Sequence, residues 1–197
     1  ALIIADSFTA RYAARVTEHL DLIGMEHRVW PAVEPEVPLG TVDAGAAVCE
    51  EFRPTAIFAL GGGSAMDTAK MIMVRYERPE LDLRMIFPFT SLGLRKKARF
   101  FIAIPTTSGT GSEVTPVAVA TDTARTPHKK LEVFCDEFFA DMTVLDPDFV
   151  KDMPPFLTMA TGLDALSHAI GSHVSNWGTP YIDAMNLTAV REIVKYL

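Results

Sequence analysis

The chain has 197 residues, with 18 Lys and Arg against 25 Asp and Glu, for a formal net charge of −7. This acidic balance argues against nucleic acid, because phosphate-backbone binding draws on a basic face. Hydrophobic residues make up 49% of the chain, enough for a sizeable core, but no run reaches the ~18 apolar residues needed to cross a bilayer.

The opening "ALIIADSF" lacks the basic flank and long apolar stretch of a signal peptide. Cys49 and Cys135 lie far apart and outside any CxxC pair. Neither a disulfide framework nor a zinc–thiolate site is supported, and a reducing, cytoplasmic setting is expected. The chain opens on a strand-like run and closes on "VREIVKYL" inside a helical pattern, which reads as a piece of a longer protein.

"LIIA" (2–5) has the apolar continuity of a strand buried on both faces. Asp6 and Ser7 can cap the helix expected over "FTARYAARVTEHLDLIG", with Gly24 as its stop. "HRVW" predicts a strand, "PAVEPEVPLG" a loop, "TVDAGAAVCEEF" a helix, "TAIFAL" a third strand and "SAMDTAKMIMVRY" a third helix. This alternation implies a parallel sheet covered on both faces. Residues 77–99, with Pro79, Pro88 and the basic run "LRKKAR", read as an exposed excursion, the run itself as a solvated loop rather than an anion site. "FFIAIP" resumes the sheet, "VAVATD" and "KLEVF" predict antiparallel strands around "TARTPHKK", and "MTVLDP" predicts a short strand. Beyond "DMPPFLT" strand patterns stop. Helices are expected over 157–174 and 180–197, split at "SNWGTP" by Gly178 and Pro180. The division expected is an α/β domain over 1–153 and the start of an α-helical one over 154–197, whose helices would leave an apolar face exposed.

Three stretches carry possible chemistry. In "ALGGGSAMDTAK" (59–70) three glycines follow a buried strand and lead into a helix. They let the backbone approach a ligand, and the helix start offers free N–H groups to a phosphate, with Ser64 able to cap the helix or donate to the anion. A tight turn would need fewer glycines. The pattern is not GxGxxG and follows the third strand rather than the first, so an ordinary Rossmann fingerprint does not apply. "PTTSGTGSEVTP" (105–116) leaves a strand end as a loop of hydroxyls and glycines that could wrap a polar ligand through Thr106, Thr107, Ser108 and Thr110, or could be a plain surface turn. In "TGLDALSHAI" (161–170), Asp164 and His168 are four apart and share one helix face. Alone, they read first as an acid–histidine hydrogen bond. As metal ligands they would suit iron or zinc, but two do not close a site. His173 turns off that face, and His19, His27 and His128 are not obvious third ligands.

"GGGSAMDTAK", "PTTSGTGSEVTP", "VLDPDFVKDMP" and "TGLDALSHAI", in this order and spacing, resemble the iron-containing alcohol dehydrogenase family, particularly the alcohol dehydrogenase half of the bifunctional aldehyde–alcohol dehydrogenases. The resemblance implies a Rossmann-like dinucleotide-binding α/β domain followed by the beginning of an all-α metal-binding domain, with the active site between them. It implies that Gly61, Gly62, Gly63 and Ser64 hold a dinucleotide's diphosphate, with Asp67 in the same motif. Thr106, Thr107, Thr110, Thr115 and Val119 would line the cofactor, and Lys130 would lie near its ribose. Asp164 and His168 would be the first two ligands of the catalytic ion, Fe2+ or alternatively Zn2+, and two further histidines would lie beyond Leu197. The activity implied is hydride transfer between NAD(H) and a small primary alcohol or aldehyde such as ethanol or acetaldehyde, in a cytoplasmic homo-oligomer without nucleic-acid or membrane partners. Pro31 stands where the family often carries an acidic residue that favours NAD, with Glu34 near but shifted, so NADP stays open. A glycerol or polyol dehydrogenase-like relative, or a nucleotide-binding piece without catalysis, are the alternatives.

Overall fold

The computed structural model describes residues 1–86 and 91–197, so Pro88 of the expected excursion lies outside the described residues. The chain forms two compact units, one from Ala1–Thr106 and Ser112–Asp146, the other from Thr107–Gly111 and Pro147–Leu197.

The first unit is built on a five-stranded parallel sheet. Its strands are β1 (Leu2–Ala5), β2 (Arg28–Trp30), β3 (Ala56–Gly61), β4 (Phe100–Pro105) and β7 (Met142–Thr143), in the order β2-β1-β3-β4-β7. The connecting helices are α1 (Ala13–Leu22), α2 (Leu39–Phe52) and α3 (Gly63–Glu77). A two-stranded antiparallel sheet, β5 (Val117–Asp122) with β6 (Lys129–Phe134), completes it. The strand order reverses between β1 and β3, the place where open α/β sheets leave a crevice at the strands' carboxyl ends.

Burial explains the patterning. All four residues of β1 are buried, as a strand covered on both faces requires. The side chains of Leu2, Ile4, Ile57, Ala59, Phe101 and Ala103 pack with Met66, Met71, Ile72, Met73 and Val74 of α3 in one core. Each fully buried side chain of Leu or Met size contributes roughly 1.5–3 kcal/mol of transfer free energy. Helix α3 packs against α2, β3 and β5, which leaves it almost no solvent face.

The structure changes several details of the expected layout. The first helix begins as a 3-10 turn over Thr9–Tyr12 before α1. Asp6 alone serves its start, Oδ1 accepting from the amides of Phe8 and Thr9, each at 2.8 Å, and Gly24 ends it in the left-handed region, φ +65°. The strand expected over 142–147 pairs only at Met142 and Thr143. The described part of 77–99 is exposed only in part: Pro79, Glu80, Arg84 and Lys96 are exposed, but Leu83, Leu92, Leu94 and Ala98 are buried. Two carboxylates hold it down. Glu77 accepts from the amides of Arg95, Lys96 and Ala98, and Glu137 from those of Leu92 and Leu94. Nor is the basic run simply solvated, since Arg95 pairs with Asp141 and Lys97 with Glu50, each at 2.8 Å.

In the second unit, α4 (Pro155–His173) and α5 (Pro180–Tyr196) pack together. Each begins with proline in its first turn, where a missing N–H is harmless. His173 Nδ1 lies 3.0 Å from Asp183 Oδ1, tying the end of α4 to the start of α5. Phe156, Val174, Trp177, Tyr181 and Val194 are exposed, in line with the apolar face expected of these helices.

One buried polar atom in the core lacks a partner among the described residues: Thr68 Oγ1, on α3. A buried hydroxyl without a hydrogen bond is destabilising. Thr68→Val, which keeps the shape, is expected to raise the unfolding free energy by about 1 kcal/mol, measured by urea denaturation.

Candidate functional site

The carboxyl ends of β3 and β4 are paired, Gly61 opposite Pro105. The Thr106 N–H then donates to the Gly61 carbonyl at 2.9 Å, so the triple-glycine and hydroxyl-rich stretches both start from one sheet edge. Gly61 has a packing reason to be glycine: a Cβ there would sit 2.5 Å from the Ala65 Cβ. Thr9 Oγ1 and Asp6 Oδ2, on the β1 side, would be 3.5 and 3.6 Å from it. The Thr9 hydroxyl itself lies 2.8 Å from Asp6 Oδ2 and 3.1 Å from the Leu60 carbonyl, linking the two strand ends at the reversal point.

Helix α3 starts at Gly63, and its N-cap is Gly62 rather than Ser64. Gly62 has no side chain to offer, so the first-turn N–H groups at Gly63 and Ser64 are left for another acceptor. Together with the helix dipole, this is the local requirement for holding an anion.

Asp67, one turn further along, is turned inward. Its Oδ1 accepts from the Ser112 hydroxyl at 2.6 Å and its Oδ2 from the Val119 amide at 3.0 Å. Burial pushes its carboxyl above the ordinary value, while the Ser112 and Val119 hydrogen bonds and Lys70 pull the other way. Lys70 comes next on the same face and is fully buried. Its Nζ donates within a shell of four oxygens: the Ser112 carbonyl and hydroxyl at 2.7 and 2.9 Å, and the carbonyls of Thr115 and Val117 at 3.1 and 2.7 Å.

Lys130, on β6, donates to Thr121 Oγ1 at 3.0 Å and to Glu36 Oε2 at 3.2 Å. Glu36 and Val37 are consecutive left-handed residues, φ 64° and 56°. Thr121 holds that strained pair, its hydroxyl donating to the Glu36 carbonyl and its N–H to the Val37 carbonyl.

The sequence-predicted residues thus divide between the units. Gly61, Gly62, Gly63, Ser64, Asp67, Thr106, Thr115, Val119 and Lys130 fall in the first unit, and Thr107, Thr110, Asp164 and His168 in the second. In the second unit, a Cβ on Gly109 would collide with the Thr161 carbonyl, so the short loop lies directly against α4. Asp164 and His168 share a face of α4, Oδ1 and Nε2 being 3.6 Å apart on half-exposed side chains. Among the described residues no group of three or more His, Cys, Asp or Glu could hold a metal. Sequence reasoning missed Thr9, Ser112 and above all Lys70. The signal for Lys70 was a single cation in the apolar run "AKMIMV", three residues after an acid.

The model of iron-containing alcohol dehydrogenase matches residues 1–147, and that of the Fe-containing alcohol dehydrogenase family, C-terminal, matches residues 158–197. The chain belongs to the iron-containing alcohol dehydrogenase family. It is 39% identical over 210 aligned positions to the bifunctional aldehyde–alcohol dehydrogenase AdhE of Escherichia coli (strain K12), covering 100% of this chain and 23% of that protein. It is 38% identical to the NADPH-dependent butanol dehydrogenase of Clostridium saccharobutylicum, covering 94% of this chain and 47% of that one. The chain therefore spans less than half the length of either relative. Among solved structures, the alcohol dehydrogenase from Oenococcus oeni superposes with a TM-score of 0.89 at 28% identity, over 98% of this chain and 50% of that one. Sulfoacetaldehyde reductase from Bifidobacterium kashiwanohense in complex with NAD+ gives a TM-score of 0.83 at 29% identity, over 99% of this chain and 51% of that one.

Burial pushes the Lys70 ammonium down to about 8 from 10.5, against an oxygen shell that favours the charged form. With the lowered value, the folded state loses this proton near pH 8 while the unfolded chain keeps it to about 10.5, so the unfolded state binds more protons across that window. Stability relative to Lys70→Met is therefore expected to rise between those limits, by about 3 kcal/mol. Denaturant titrations of both proteins at stepped pH check this.

Proposed function

We propose that this chain is the dinucleotide-binding domain (1–153) and the first helices of the metal-binding domain (154–197) of an NAD(H)-dependent alcohol dehydrogenase acting on a small primary alcohol or aldehyde, ethanol and acetaldehyde among them. The observation that carries the reading is the bend at Gly61–Gly63. A side chain cannot be accommodated at Gly61, and a helix opens there without a side-chain cap. A diphosphate supplies the acceptors that such a helix start lacks.

In this reading Gly61, Gly62, Gly63 and Ser64 bind the diphosphate through their backbone, and Thr106, Thr107, Thr110, Thr115 and Val119 line the cofactor. Lys130 faces the ribose, and Asp164 and His168 give an iron or zinc ion one oxygen and one nitrogen. That donor pair fits a divalent transition ion but covers only two positions, and the reading assigns the rest to polypeptide beyond Leu197. When bound, the dinucleotide supplies hydride exchange and the ion supplies Lewis acidity toward the substrate oxygen. The chain's own contribution is positional. The β3–β4 edge fixes the diphosphate end, and the hydroxyl-rich loop orients the cofactor without adding charge. No carboxylate stands at Pro31, so NADP is kept as a second cofactor, consistent with the NADPH dependence in the name of the Clostridium relative. A cytoplasmic, homo-oligomeric parent protein belongs to the same reading. Among the described residues no helix is long and apolar enough to cross a membrane.

Fluorescence titration with NADH and with NADPH is expected to show saturable binding of at least one. Gly61→Ala should weaken it about tenfold or more. Equal binding by this variant, or none by the wild type, contradicts the reading. Zinc added to this chain is expected to be held weakly and to be lost on His168→Ala, as read by competition with a chromogenic chelator.

A further inference from the structure

We propose that Lys70 is a positioning residue for the dinucleotide pocket: a buried cation that holds the 112–119 segment in register with the first turns of α3. The inference rests on the dinucleotide reading above and adds a residue to it.

The geometry is that of a solvation shell made by the protein. Three main-chain carbonyls and one hydroxyl surround Nζ, and all belong to Ser112, Thr115 and Val117. Nothing in the core requires a charge at this position. The neighbouring α3 residues Ala69, Met71, Ile72 and Met73 are fully buried apolar side chains, and a methionine would fill the same length at less desolvation cost. What the ammonium supplies is convergence. Residues 112–116 are a 3-10 turn followed by loop, and a cation placed among them gathers the carbonyls of Ser112 and Thr115 with that of Val117 at the start of β5. Asp67 completes the clamp from the same helix. It takes the Ser112 hydroxyl on one oxygen and the Val119 amide on the other, and lies 4.0 Å from Nζ. The charged groups facing Nζ are Asp67 on α3 and Glu113 on the turn, while β5 presents only a carbonyl. The segment so held contains Thr115 and Val119, and the helix that holds it begins at the anion-binding bend. In the dinucleotide reading, the clamp therefore fixes the distance between the bend and the Thr115–Val119 side of the cofactor site. If the ordered arrangement falls to a tenth of the population, apparent nucleotide affinity falls about tenfold.

The test compares Lys70→Met, Lys70→Arg and Met71→Ala, the last removing a buried side chain next to Lys70 on the same helix. Dinucleotide affinity is measured by fluorescence at a temperature where all are folded, and amide hydrogen exchange is followed across residues 112–119. Lys70→Met is expected to lose about tenfold or more in affinity and to exchange faster at 112–119 without nucleotide. Lys70→Arg, which keeps charge and donors, should recover part of both, and Met71→Ala should stay within about twofold of wild type in affinity however much melting temperature it loses. Should Lys70→Met not fold, Ser112→Ala deletes the hydroxyl shared by Lys70 and Asp67, and the same two losses are expected at smaller size. The inference is overturned if the Lys70→Met losses are absent or matched by Met71→Ala, or if Ser112→Ala, standing in for an unfolded Lys70→Met, leaves both readouts unchanged. A wild type that binds no dinucleotide overturns the dinucleotide reading itself and this role with it, whereas normal wild-type binding with an indifferent Lys70→Met overturns this role alone.

Discussion

The first unit depends on one parallel pairing, that of β3 with β4. The ladder from Ala56–Phe100 to Gly61–Pro105 brings two loops of different composition to a common edge, and the Thr106 N–H to Gly61 carbonyl bond closes that edge. The glycines remove side chains from the approach, the helix start concentrates N–H groups, and the next strand delivers hydroxyls.

The edge needs support from behind, and α3 gives it in two ways. Its apolar faces lock it between the sheet, α2 and β5, so the N-terminus cannot drift. Two of its ionisable residues, Asp67 and Lys70, reach into the 112–119 segment instead of toward solvent. Burying a charge is costly unless the protein replaces its water. Here four oxygens replace it around Nζ, and the acid carries both a hydroxyl and an amide. Such a fully satisfied polar network rigidifies what it touches.

Much of this was legible in the sequence because it follows from periodicity. "LIIA", "TAIFAL" and "FFIAIP" are short continuous apolar runs, and all three became strands of one parallel sheet. The helix end at Gly24 and the helix start at Pro180 followed from backbone chemistry. What escaped was tertiary in origin. The described part of 77–99 has the prolines and charges of a solvated loop, yet Glu77 and Glu137, distant from one another in sequence, capture its amides and bury its leucines. Local composition carries no trace of that. Lys70 was hidden for a similar reason: a lysine in a helix reads as surface until the carbonyls that solvate it, more than forty residues away, are brought next to it. Asp164 and His168 were legible as a pair through their spacing, and the structure sets them 3.6 Å apart on one face of α4.

The proposed dinucleotide binding requires the diphosphate to rest on the backbone between Gly61 and Ser64. The most direct measurement is a crystal structure of this chain grown with NADH or NADPH. Density for the diphosphate is expected within hydrogen-bonding distance of the Gly63 and Ser64 amides. A nucleotide bound elsewhere, with that bend carrying only water, would contradict it.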